Sequence, residues 1–150
     1  MKKKYKCRNP VLLKIFRRPH ETKQVMRILR AVKPDKLYVS GDGPRGISKS
    51  EDEDVFLSRK IALDPGWDCE VITNFLHHNV GGPKCAFDGT NWFFSKEEQG
   101  IILEDDNLPN LDFFRFCDEL LDYYREESKV FAITGNNFQD GQLRGNASYY

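Results

Sequence analysis

Neither sign of charge is in surplus: 23 Lys and Arg balance 23 Asp and Glu. The basic excess that gathers nucleic acid or anionic lipid is therefore absent. The four cysteines, Cys7, Cys69, Cys85 and Cys117, are dispersed and never come as C-x-x-C. That spacing argues against a zinc site or a disulfide scaffold and leads us to expect a reducing, cytoplasmic setting. Each cysteine reads as a small hydrophobe in or beside an apolar segment. No apolar run approaches membrane-spanning length. The segment "VLLKIF" behind the basic "MKKKYK" is too short and interrupted to be a signal-peptide core. There is no glycine-rich phosphate loop of the P-loop or dinucleotide type. His77 and His78 lie near no residue at metal-ligand spacing and are read as structural. No internal repeat, low-complexity tract or long linker is visible.

What remains is one domain's worth of chain, 150 residues at 39% hydrophobic content, enough to bury a core. Short apolar runs alternate with helix-period stretches. "VLLKIF" (11–16), "KLYVS" (36–40), "CEVITNF" (69–75), "GIIL" (100–103) and "KVFAIT" (129–134) read as strands. Between them, 21–33 places Val25, Leu29 and Val32 on one helical face, and 54–63 follows an acidic helix start at 51–54. "NVGGP" (79–83) opens a helix ending in "NWFFSKEE". A last helix carries Phe113, Cys117, Leu120 and Tyr124 on one face, with Pro109 expected in its first turn. Such alternation predicts a parallel sheet with helices on both faces, in which ligands bind beyond the carboxyl ends of the strands. "GDG" after the second strand, "EDDN" after the fourth and "GNNFQDG" after the fifth would share that edge.

The acids of "GIILEDDNLP" are the sharpest feature. Two like charges ~4 Å apart repel by roughly 4 kcal/mol at an effective dielectric of 20, yet Glu104, Asp105 and Asp106 follow an apolar strand without a spacer. A solvated loop is one explanation. Another is a divalent cation or a ligand's hydroxyls between the carboxylates, since Mg²⁺ and Mn²⁺ take one or two carboxylates plus substrate phosphates. Side chains alternate at a strand end, so Glu104 and Asp106 should point one way and Asp105 the other. Asp42, in "SGDGPR", is either a turn residue between Gly41 and Gly43 or an acceptor for a base or ribose. Arg18 is the nearest cation for phosphates. Arg17 reads as surface charge, and Lys84 reads as a solvated lysine near a helix start.

The segments "PVLLKIFRRP", "KLYVSGDGPR", "NWFFSKEEQGIILEDDNLPNLDFFRFCDELLDYY" and "AITGNNFQDG" resemble a bacterial group of nucleotide-diphospho-sugar glycosyltransferases, sometimes called hemolysin-activation-like. Around the acids the chain is also similar to the eukaryotic N-acetylglucosaminyltransferase I family. The resemblance implies a GT-A fold, a Rossmann-like three-layer α/β/α arrangement with a mostly parallel central sheet. It implies transfer of a sugar from a nucleotide-diphosphate donor, a UDP-sugar, to a hydroxyl acceptor such as a glycan. Asp106 would ligate Mn²⁺ or Mg²⁺ on the donor's diphosphate. Asp105 and Glu104 would bind the ribose side and position the metal's waters. Asp42 would recognise the base, and Arg18 would contact the nucleotide. Arg17 stands where the family has asparagine, and "GGPK" replaces its Gly-Cys-Lys-like loop, so Lys84 carries over only weakly. The family's Trp-rich segment and acceptor-side half do not follow "GNASYY". The chain is therefore expected to be a donor-binding fragment, or a short form without efficient transfer, with the general base outside it.

Two other classes compete. A metal-dependent phosphoester hydrolase lacks a second spaced acid cluster for a two-metal site. A non-catalytic, receiver-like module that binds nucleotide or metal needs a phospho-accepting Asp on a central strand and a late Lys. "TNF" and "TGNN" supply neither. The glycosyltransferase reading requires the triplet at a crevice mouth; acids far from any cleft, or Asp106 paired internally with a lysine or arginine, would end it.

Overall fold

The computed structural model describes residues 5–135. Strands and helices alternate as β1 Val11–Ile15, α1 Pro19–Val32, β2 Lys36–Gly41, α2 Lys49–Ala62, β3 Glu70–Phe75, α3 Gly82–Phe94, β4 Ile101–Glu104 and α4 Leu111–Tyr123. The strands form one sheet in the order β3-β2-β1-β4, every neighbouring pair parallel. The result is a three-layer α/β/α arrangement of general Rossmann-like type.

β1 is central because it is apolar on both faces. Val11, Leu13 and Ile15 join Leu37, Val39, Ile101 and Leu103 beneath residues of α1, α2 and α4, with Met26, Leu29 and Phe114 fully buried among them. Leu12 points the other way and packs with Tyr38 and Phe93, so α3 lies on the opposite face. This follows from the period-2 alternation of a strand feeding two cores. α3 approaches β2 closely at Gly89, where a Cβ would fall 2.5 Å from Ser40 Oγ.

Three expectations are corrected. Residues 129–134 form no strand: Val130 N–H donates to the Glu127 carbonyl in a turn, and Phe131 is fully exposed. A β-rich run becomes a strand only where a ladder receives it, and this one joins no ladder among the described residues. Pro109 sits outside α4, because Asn110 is the N-cap and its side chain accepts from Phe113 N–H at 2.9 Å, the stronger of the two helix-start devices. α2 begins at Lys49 rather than among the acids, capped by Ser48, which accepts from Glu51 N–H. The "GNNFQDG" segment from Asn136 onward lies outside the described residues. No helix among those residues is long and apolar enough to cross a membrane.

Candidate functional site

A cleft of about 520 Å³ opens at the carboxyl edge of the sheet. The ends of β1, β2 and β4 and the first turn of α3 converge on it. Arg18, Asp42, Glu104, Asp105 and Asp106, the residues singled out in the sequence, all line it. So do Lys14, Arg17, Arg45 and Cys85. Asp105 is buried, while Glu104 and Asp106 are exposed; β4 ends at Glu104, and in the turn that follows Asp105 and Asp106 both reach Arg18 rather than pointing apart.

Asp105 holds the end of β4 to the end of β1. Its carboxylate accepts from Phe16 N–H at 3.1 Å and from Arg18 Nη1 at 3.4 Å. Burial raises its carboxyl above the ordinary value, against the pull of Phe16 N–H and Arg18. Asp106 is ion-paired with the same Arg18 nitrogen. This is the arrangement that counts against Asp106 as a free metal ligand, since a cation has to displace Arg18 first. The pair stands at the cleft mouth with both side chains half-exposed (51% and 49%), where such pairs contribute about 0–1 kcal/mol. The displacement is therefore a small cost.

Asp42 is buried and fully engaged. One carboxylate oxygen accepts from Gly43 and Val80 N–H, both at 2.9 Å; the other accepts from Gly81 N–H and Asn79 Nδ2, both at 3.0 Å. These bonds shape the loop that leads into α3. Base recognition by Asp42 would require giving up one of them. Gly43 is needed beside it, because a Cβ there would lie 2.4 Å from the His78 carbonyl carbon.

Among the described residues no group of three or more His, Cys, Asp or Glu could hold a metal ion. The donor set fits a hard cation only in part: one carboxylate, Asp106, with Glu104 beside it, and the remaining ligands from water or phosphate. Compared with protein-family models and with curated proteins, the chain matches none.

Arg17, set aside from sequence as surface charge, belongs to the cleft wall. Its Nη1 donates to Glu51 Oε2 at 2.9 Å, and Arg45 donates to Glu51 from its backbone N–H (3.0 Å) and Nε (2.9 Å). Glu51 and Arg45 were missed, although the Ser48-to-Glu51 capping spacing marks Glu51 in the sequence. Lys84 pairs with Asp88 along α3 and does not line the cleft. The four cysteines are free thiols, and burial pushes Cys7 and Cys117 up to about 12.

Proposed function

We propose that the chain is the nucleotide-sugar-binding part of a metal-dependent glycosyltransferase, taking a UDP-sugar donor and serving a hydroxyl acceptor. One observation carries this: residues from three separate strand ends, Arg18, Asp42 and the Glu104–Asp106 triplet, meet on a single cleft at the carboxyl edge of a parallel sheet, where such folds bind nucleotides. Mn²⁺ or Mg²⁺ bound at Asp106 would supply Lewis-acid stabilisation to a departing diphosphate.

The chain's own residues do the rest. Asp105 locks the β4 end against β1 through Phe16, which sets where Glu104 and Asp106 project. With a cation held at Asp106, Arg18 would keep its contact with Asp105 and could offer its other N–H groups to phosphate oxygens. Glu104 has no ion pair among the described residues and faces the cleft as an acceptor for ribose hydroxyls or metal-bound water. Asp42 organises the Asn79–Gly81 loop that floors the nucleotide side. No described residue is assigned as the general base.

A second reading, a nucleotide-binding module without transfer, is favoured by the Arg18–Asp106 pair and the lack of a three-ligand cluster. Calorimetry tests the metal dependence that the first reading requires. UDP is expected to bind with Mn²⁺, and at least roughly tenfold more weakly in EDTA or in Asp106→Ala, the size of one charged contact. Equal affinity in all three settings overturns the metal-dependent reading.

A further inference from the structure

Two arginines and one buried carboxylate at the cleft are left unused by this scheme. Glu51 is only 2% exposed at its side chain and sits in the first turn of α2, where the helix dipole favours an acid. Its oxygens accept from Arg17 Nη1, from Arg45 N–H and Nε, and from Arg45 Nη2. The Arg45 guanidinium holds the Glu51 carboxyl down to about 2, so it stays charged and keeps both arginines in place. A guanidinium carries five N–H donors. Glu51 engages one edge of Arg45 and a single nitrogen of Arg17, and among the described residues no hydrogen-bond acceptor meets the Nη1 side of Arg45 or the Nε and Nη2 groups of Arg17. Both residues line the cleft, and both are partly exposed there.

The cleft lining carries both signs of charge. Arg17 and Arg45 share Glu51, whereas Asp105 and Asp106 share Arg18. Lys14, on β1 between Ser40 and Glu104 in register, adds a cation with no ion pair among the described residues. An anion is thus expected at the arginines that Glu51 braces, and a cation at the acids.

We propose that Arg17 and Arg45, cross-braced by Glu51, form a phosphate-gripping wall that binds the diphosphate of the ligand directly and without a metal. The identity of that ligand as a nucleotide donor rests on the reading above. Arginine suits the task because its planar fork meets phosphate oxygens in pairs. Bracing by Glu51 means that little side-chain freedom is lost when the anion arrives. Glu51 touches no ligand in this scheme; it positions the two guanidinium groups.

The test is calorimetry of the full chain with inorganic pyrophosphate and, separately, UDP, each in EDTA and in Mn²⁺. Wild type is compared with Arg17→Ala, Arg45→Ala, Arg45→Lys and Glu51→Gln, and thermal melting confirms that each is folded. Pyrophosphate is expected to bind wild type in EDTA. Either alanine variant should weaken it roughly tenfold or more, the size of a lost charged hydrogen bond, by the same factor with or without Mn²⁺. Arg45→Lys should recover part of the loss, and Glu51→Gln should weaken binding even where melting is unchanged. If Arg45→Ala does not fold, Arg17→Ala decides, because its side chain gives Glu51 one hydrogen bond from a half-exposed position. Folded alanine variants that match wild type overturn the wall. Were UDP then still to need Mn²⁺ and Asp106, the donor reading would survive alone. Arginine-dependent pyrophosphate binding with no added affinity for UDP leaves the wall and removes the nucleotide reading, and no binding of either anion by wild type removes both.

Discussion

Glu51 and Asp42 show how differently two buried carboxylates can be used. Asp42 has its acceptors filled by backbone and amide donors and builds a loop. Glu51 is filled by guanidinium groups that remain open on the cleft side. The pH consequence belongs to Glu51. Its carboxyl is held at about 2 against an ordinary 4.5. A folded value below the unfolded one means the contribution is complete above the upper figure and disappears as pH falls toward the lower. Urea midpoints measured from pH 5 down to about 2 should therefore fall less steeply in Glu51→Gln than in wild type. Identical slopes would show that another acid controls that range.

Within elements, most boundaries come from local chemistry that can be read before any contact is known. Pro19 opens α1, Ser48 caps α2 and Asn110 caps α4, each a device with a known side-chain basis. The Tyr5–Asn9 stretch has no such signal, and its position is set by α4. Asp118 on that helix is 1% exposed and accepts from Tyr5 Oη at 2.7 Å, Arg8 N–H at 3.0 Å and Asn9 Nδ2 at 2.7 Å. Asp118→Ala leaves those donors without their acceptor. At about 1–3 kcal/mol per buried group, a loss of about 3 kcal/mol or more is expected in urea unfolding, with Asn9 losing amide protection first. A loss under about 1 kcal/mol, the size of one exposed contact, would mean that water replaces the carboxylate.

The whole molecule stands on two unequal cores. Three helices cover one sheet face, whereas α3 alone is assigned to the other, anchored by Phe93 between Tyr38 (ring centroids 5.0 Å) and Phe94. The first turn of α3 is also a cleft wall, so packing on the smaller core and shape at the site are linked. Phe93→Ala is expected to cost about 3–5 kcal/mol, and to speed amide exchange at Gly81 and Gly82 more than in α1. Uniform exchange across both faces would show that the two cores unfold as one and that the link is absent.

The alternation of strand and helix, the face of α1 and the acids at the end of β4 were all legible in the chain. They depend on spacing and capping within about a dozen residues, and nothing distant overrode them. On α4, Cys117 and Leu120 were placed correctly, but Phe114 and Asp118 are buried in place of Phe113 and Tyr124. The strand expected at 129–134 failed because β-propensity reports fit to a neighbouring strand, and no described strand pairs with it. Arg17 looked like solvated charge because the carboxylate it meets lies 34 residues away in sequence; Arg45 is only 6 residues from the same carboxylate, but no helical or strand period links the loop that carries it to the first turn of α2. The pairing of Arg18 with Asp106 was likewise invisible, spanning 88 residues. Local sequence thus settled which elements form and which residues reach the sheet's carboxyl edge. Which charges meet there, and which remain open to a ligand, was settled by long-range packing, because ion pairing depends on distance in space and sequence separation says nothing of it.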